Sequence, residues 1–168
     1  DIAALQFLYG ANFNHNNSDS VYHWNPATGE MTINGVGQGA PGSTRVFQAI
    51  WDGGGVDTYD FSNYAVFDSS GATIDLRPGA FTILPGLIHT PRLNGFVPGS
   101  IGSVANALQV NGDPRSLIEN AIGTSAIDFL YGNDVANRLD GGAGNDTIEG
   151  FGGDGILICG EGLAFVYG

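Results

Sequence analysis

The last third of the chain keeps a hydrophobic beat of nine residues. Leu130, Leu139, Ile148, Leu157 and Val166 fall in one register, and glycine, asparagine and aspartate are dense around them. Each unit predicts one turn and one short strand whose apolar residue faces an interior. The units begin at Gly123, Gly132, Gly141, Gly150 and Cys159. Upstream, short apolar runs punctuated by Gly, Pro, Asn and Asp predict strands over 46–51, 73–76 and 80–84, and Met31 lies in a strand-like context. Residues 85–98 read as a loop. Residues 103–110 predict a helical turn, because Val104, Ala107 and Leu108 share a face. The amino terminus has a different period. Ile2, Leu5, Leu8 and Tyr9 recur at helical spacing, with Asp1 as cap and Gly10 as stop, so a short amphipathic helix opens the chain.

The repeats also carry candidate chemistry. Gly141-Gly142-Ala143-Gly144-Asn145-Asp146-Thr147-Ile148-Glu149 fits G-G-x-G-x-D-x-U-x at every fixed place, the pattern of calcium-binding parallel β-rolls of nonapeptide repeats. Glycines such as Gly142 and Gly144 let the backbone take positive φ and turn its carbonyls inward, and the aspartate adds a hard anionic oxygen. One turn has too few oxygens for an ion that takes 6–8, so a site is shared between stacked turns. With alternate turns on the same side, residues eighteen apart face one ion. The ligand place reads Asp128, Asn137, Asp146, Gly155 and Ala164. Asp128 with Asp146 is therefore the best pair, and Asn137 opposite Gly155 a poorer one.

Composition narrows the ligand class. Seventeen acidic against five basic residues give a formal net charge of -12, which disfavours nucleic acid and anionic membrane surfaces and favours cations. Hydrophobic residues make up 42% despite 28 glycines, enough for a core. Cys159 is the only cysteine, so no internal disulfide is available, and calcium is the expected staple. No segment reads as a membrane span or as a signal peptide with a charged start.

A second acidic locus lies in the centre. Asp52, Asp57 and Asp60 crowd around Gly53, Gly54 and Gly55, a density that repels unless a cation or backbone N–H groups compensate. This segment, Trp51-Asp52-Gly53-Gly54-Gly55-Val56-Asp57-Thr58-Tyr59-Asp60-Phe61-Ser62, resembles the W-D-x-G-G-x-D-T-x-D-F-S segment of the serralysin family, secreted bacterial zinc metalloproteases of the metzincin clan. The opening helix through Asn12 resembles the family's D-I-A-A-[IL]-Q-x-L-Y-G-A-N helix, which ends the catalytic domain. Residues 19–22 resemble the strand after it, and Ile118-Glu119-Asn120-Ala121-Ile122-Gly123 resembles the lead into its repeats. Residues 67–115 are mostly unmatched.

The resemblance implies specific ligands. One calcium ion would take backbone oxygens of Asn16, Ser18, Ser20 and Gly54 with carboxylates of Asp52 and Asp57. A neighbouring ion would use Gly55, Asp57, Leu117 and Glu119, with Asp57 bridging the two. The family usually has Gly at position 18 and Thr at 117, but both act through carbonyls. It also implies a secreted, extracellular protein, calcium-ordered after export, with protein substrates cleaved by an amino-terminal zinc-bearing catalytic domain or chain.

That zinc chemistry is not encoded in this chain. The motif H-E-x-x-H-x-x-G-x-x-H does not occur, and His15, His23 and His89 are scattered with no following Glu. No serine stands in a G-x-S-x-G elbow, Gly35, Gly37 and Gly39 lack the Lys of a phosphate loop, and Cys159 reads as a packing or strained-turn residue. The sequence thus predicts an all-β chain with a short amino-terminal helix: 1–12 as the last catalytic-domain helix, 13–120 as a β-sandwich-like shoulder with calcium sites, and 121–168 as a β-roll. It is expected to be non-enzymatic on its own. An adhesion or polysaccharide-binding module is the rival reading.

Overall fold

The computed structural model describes residues 2–42, 45–64, 70–85 and 102–168. The expected cap at Asp1, His89 and the expected loop beyond Pro85 lie outside the described residues. Helix α1 (Ile2–Tyr9) forms as the sequence predicts and ends where Gly10, at φ +81, donates its N–H to the Gln6 carbonyl. Its apolar side chains are not buried: Phe7 is 89% exposed and Tyr9 83%.

The nine-residue beat becomes two parallel ladders. Strands β1 (Val21–Trp24), β5 (Thr58–Asp60), β9 (Asn120–Ile122), β11 (Arg138–Asp140) and β13 (Ile156–Ile158) run side by side in one sheet, which a hairpin of β2 (Met31–Ile33) and β3 (Val36–Gly37) extends beyond β1. Strands β6 (Ser70–Asp75), β10 (Ile127–Asn133), β12 (Thr147–Phe151) and β14 (Phe165–Tyr167) form the second. Successive repeats alternate between sheets, so residues eighteen apart pair: Ala121 with Leu139 and Leu139 with Leu157, Leu130 with Ile148 and Ile148 with Val166. The ladders continue past position 120, with Tyr59 beside Ala121 and Ile74 beside Leu130.

The inward residues fill the space between sheets. Leu130, Leu139 and Ile148 are fully buried, Leu157 is partly buried and Val166 is 41% exposed. Burial thins towards the last coil because its strands have a neighbour on one side only. At the other end the core changes from aliphatic to aromatic, with Trp24 stacked on Phe61 at 5.0 Å and Tyr59 edge-on to Tyr22 at 5.8 Å.

A third sheet combines β4 (Gln48–Ile50), β7 (Phe81–Thr82) and β8 (Val104–Asn106). The helical turn expected over 103–110 does not form, and residues 104–106 of it are a strand. Val104 is fully buried and pairs through its backbone with Gln48 and Thr82, whereas Leu108 is 56% exposed and shares no buried face with it. Sheet pairing from distant segments overrides a local helical spacing. Cys159 is exposed rather than packed.

Candidate metal centres

The roll stacks its glycine turns in register. Turn 123–128 lies beside turn 141–146, and the Asp128 N–H donates to Asp146 Oδ1 at 3.0 Å, the eighteen-residue facing that the repeat predicts. A Cβ at Gly142 would lie 2.3 Å from the Thr124 carbonyl oxygen, and one at Gly144 2.1 Å from that of Ala126. Only glycine admits so close an approach, and both residues have positive φ. Carbonyl oxygens of one turn therefore crowd the next turn beside two carboxylates.

The two aspartates differ in how well they are satisfied. Asp128 accepts from the Thr124 N–H at 2.7 Å, from the Thr124 hydroxyl and from the Ala72 N–H. Asp146 is wholly buried, yet its Oδ2 has no hydrogen-bond donor. Burial pushes Asp128 up to about 6 in spite of its donors, and raises Asp146 as well. Asn137, at the ligand place between them, uses its amide otherwise: Oδ1 accepts the Asn133 N–H at 2.7 Å and Nδ2 donates to the Glu119 carbonyl at 2.8 Å. Gly155 lies against the Asn137 carbonyl, which accepts the Ile156 N–H.

The shoulder assembles its acids from three segments. Asp57 precedes β5, Glu119 precedes β9, and Asp52 lies in the turn after β4. Asp57 Oδ1 accepts the Ser20 N–H at 2.8 Å, and the Asp57 N–H donates to Glu119 Oε2 at 2.8 Å. Asp57 Oδ2, on a residue with no exposed surface, has no donor. Asp52 accepts from the Gly54 N–H at 2.9 Å and from the Tyr22 hydroxyl at 2.6 Å, and Tyr22 in turn accepts from the Asn16 amide at 3.2 Å. Burial, and then the charge of Asp52, raises Asp57 well above the usual carboxylate range. Burial likewise pushes Glu119 up to about 7.

The backbone oxygens expected here lie nearby. A Cβ on Gly55, at φ +140, would meet Ser18 at 2.7 Å, and the Ser18 carbonyl already accepts the Ser20 hydroxyl. Gly54 shares that φ and faces the Arg115 carbonyl, two residues before Leu117. A glycine pair with left-handed backbone thus lets segments 15–20 and 115–119 close over the acids. Tyr22 and Thr124 were missed by the sequence reading. Thr124 had a signal, since it replaces glycine at the second place of its repeat; Tyr22 had none, because its hydroxyl meets Asp52 across thirty residues of sequence.

Among the described residues no three His, Cys, Asp or Glu side chains form a ready-made metal cage. The acids interact in pairs, Asp52 with Asp57, Asp57 with Glu119 and Asp128 with Asp146. An oxygen-only set of paired carboxylates and turn carbonyls, with orphaned buried oxygens at Asp57 and Asp146, fits a hard cation that takes many oxygens. It does not fit zinc, which prefers nitrogen and sulfur. His23 instead lies 3.6 Å from Asp60.

Nine-residue half-coils laid alternately on two parallel sheets, with stacked glycine turns, define a parallel β-roll joined to further β-structure. The chain belongs to the serralysin carboxy-terminal family: the family model described as Peptidase M10 serralysin C terminal matches residues 11–158. It is 36% identical over 139 residues to the metallopeptidase AprA of Pseudomonas marginalis, an alignment covering 83% of this chain and 24% of that protein. It is 38% identical over 140 residues to serralysin G of Dickeya chrysanthemi, covering 83% and 24%, and 34% identical over 139 residues to a serralysin of Proteus mirabilis, covering 83% and 23%. The chain thus spans about a quarter of the length of the curated relatives it matches.

Proposed function

We propose that this chain is the calcium-binding carboxy-terminal part of a secreted, serralysin-like zinc metalloendopeptidase, and that calcium drives its folding once the protein is outside the cell. The observation that supports this most is the pair of buried carboxylate oxygens without donors, Asp57 Oδ2 and Asp146 Oδ2. Burying a charge without a partner costs several kcal/mol, roughly, so both oxygens call for a cation or a proton. Calcium is the cation whose ligand chemistry matches carboxylates beside carbonyls.

In this reading one ion lies among Asn16, Ser18, Ser20, Asp52, Gly54 and Asp57. A second lies among Gly55, Asp57, Leu117 and Glu119, and a third between the roll turns, among Gly142, Gly144, Asp128 and Asp146. Asn137 contributes its amide as a link between coils rather than as a main ligand, because both ends of that amide are engaged. At low calcium the acids repel one another and leave the coils unpaired, which delays folding until export. Zinc and peptide hydrolysis belong to the amino-terminal part of the parent, against which the exposed apolar side of α1 would pack. The functional division is then 1–12, 13–120 and 121–168.

The test is a calcium titration of the purified chain, following far-UV circular dichroism and bound-ion stoichiometry together. A cooperative gain of β-structure with several ions per chain is expected. Unchanged structure in chelator with no ion bound would sink the reading.

A further inference from the structure

The outer face of the β6–β10–β12–β14 sheet carries aromatic side chains that neither the core nor the metal centres use. Leu130, Ile148 and Val166 occupy the inward places on β10, β12 and β14, so their strand neighbours point outwards. On β10 these are Phe129 and Tyr131, and on β14 they are Phe165 and Tyr167. The register sets Thr147 between the two phenylalanines and Glu149 between the two tyrosines. The result is a trough, with rings along both sides and a hydroxyl and a carboxylate along the floor. Its sides stand two strand spacings apart, roughly 9.5 Å. Phe129, Phe165 and Tyr167 are 42%, 64% and 56% exposed.

Phe151 closes one end of the trough. Its ring lies 5.2 Å from the Arg77 guanidinium, which also lies 5.4 Å from the Tyr131 ring and is gripped by Asp75. Phe151 has φ +58 at the second place of its repeat, where Gly142 and Gly160 have +83 and +69. A bulky side chain is strained in that region, and glycine would be relaxed there. The strain holds a ring at the end of the trough that the fold itself does not require.

We propose that this trough binds an extended, uncharged polysaccharide strand. Pyranose rings present flat C–H faces that stack on aromatic rings, and their hydroxyls can donate to Glu149 and Thr147 on the floor. An anionic glycan is disfavoured, because Arg77 is already neutralised by Asp75 and the chain as a whole carries a net charge of -12. A peptide strand lying in the trough is disfavoured for another reason: β12 is paired on both sides, so the floor offers no main-chain groups to satisfy a peptide backbone.

Calorimetric titration of the folded chain with cellohexaose, xylohexaose and laminarihexaose, against polyguluronate, tests this. Saturable binding of a neutral oligosaccharide is expected, weakened about tenfold by Phe165→Ala or Tyr167→Ala. Both side chains stand exposed on an edge strand, so the circular dichroism should not change. Phe151→Gly should weaken binding while raising the melting temperature, an opposition that a purely structural ring would not give. Four results would each overturn the proposal. They are no binding of any neutral oligosaccharide by the folded chain, equal binding by the aromatic variants, preference for polyguluronate, and a concentration-dependent dimer that Phe165→Ala dissolves and sugar does not displace.

Discussion

The roll pair Asp128–Asp146 and the shoulder pair Asp57–Glu119 reach the same electrostatic state by different routes. In both places burial raises carboxyls above their ordinary range, Asp128 and Asp146 in the roll and Asp57 and Glu119 in the shoulder, and leaves one oxygen without a donor. The roll achieves this by local arithmetic: two turns eighteen residues apart are stacked by the pairing of β10 with β12. The shoulder achieves it by bringing together segments around positions 16, 52 and 119, which meet only because β1, β5 and β9 are neighbours. A repeat can therefore lose one ligand place and keep its coil, as the apolar register beside Gly155 and Ala164 shows. The shoulder has no such redundancy.

That difference predicts unequal damage. On the proposed calcium reading, Asp57→Asn should remove the ligand that both shoulder ions would share. At free calcium a hundred times the dissociation constant, each ion lost costs about 2.7 kcal/mol. The largest fall in melting temperature, with two fewer ions per chain by mass spectrometry, is expected there. A loss no greater than that of Asp146→Asn would break the contrast.

Leu139→Ala, at the fully buried centre of the roll, should cost about 3 kcal/mol in chemical unfolding through transfer and cavity terms. Asp146→Asn should cost about the 2.7 kcal/mol of a single ion in calcium and little in chelator. The calcium dependence of that loss separates a ligand from a packing residue. Val166→Ala should cost under about 1 kcal/mol, because Val166 is 41% exposed and already solvated. Equal effects at Leu139 and Val166 would mean that the last coil is covered in solution.

Proton linkage sharpens the same comparison in chelator. Acids whose folded-state values are raised stabilise the fold when protonated, so their contribution is fully present below about 4 and is lost as pH rises through the folded values. Asp128 loses its share near about 6 and Glu119 near about 7, with Asp57 higher than an ordinary carboxylate. Unfolding free energy of the calcium-free chain should therefore fall between pH 5 and pH 8, and Asp57→Asn should flatten that slope. Calcium competes with those protons, so its stabilising effect should grow over the same window. A calcium-free chain of pH-independent stability would contradict the buried-acid account.

The sequence by itself determined the nine-residue strand period, the inward places of the roll, the opening helix and the glycines of its turns. These are local: each nine-residue unit contains its own turn chemistry and its own inward residue, so spacing alone identifies them. Residues 103–110 show where that stops. Their helical spacing was real, but β8 forms because Gln48 and Thr82 lie on either side of Val104. Only the tertiary structure decided that the shoulder strands extend the ladders of the roll, and that Tyr22 reaches Asp52. It also decided that Asn137 is engaged as a link between coils, and that outward rings from β10 and β14 face one another across β12. Each of these depends on which distant strands are neighbours in a sheet, and strand pairing is settled by the free energy of the whole packed core rather than by any one segment.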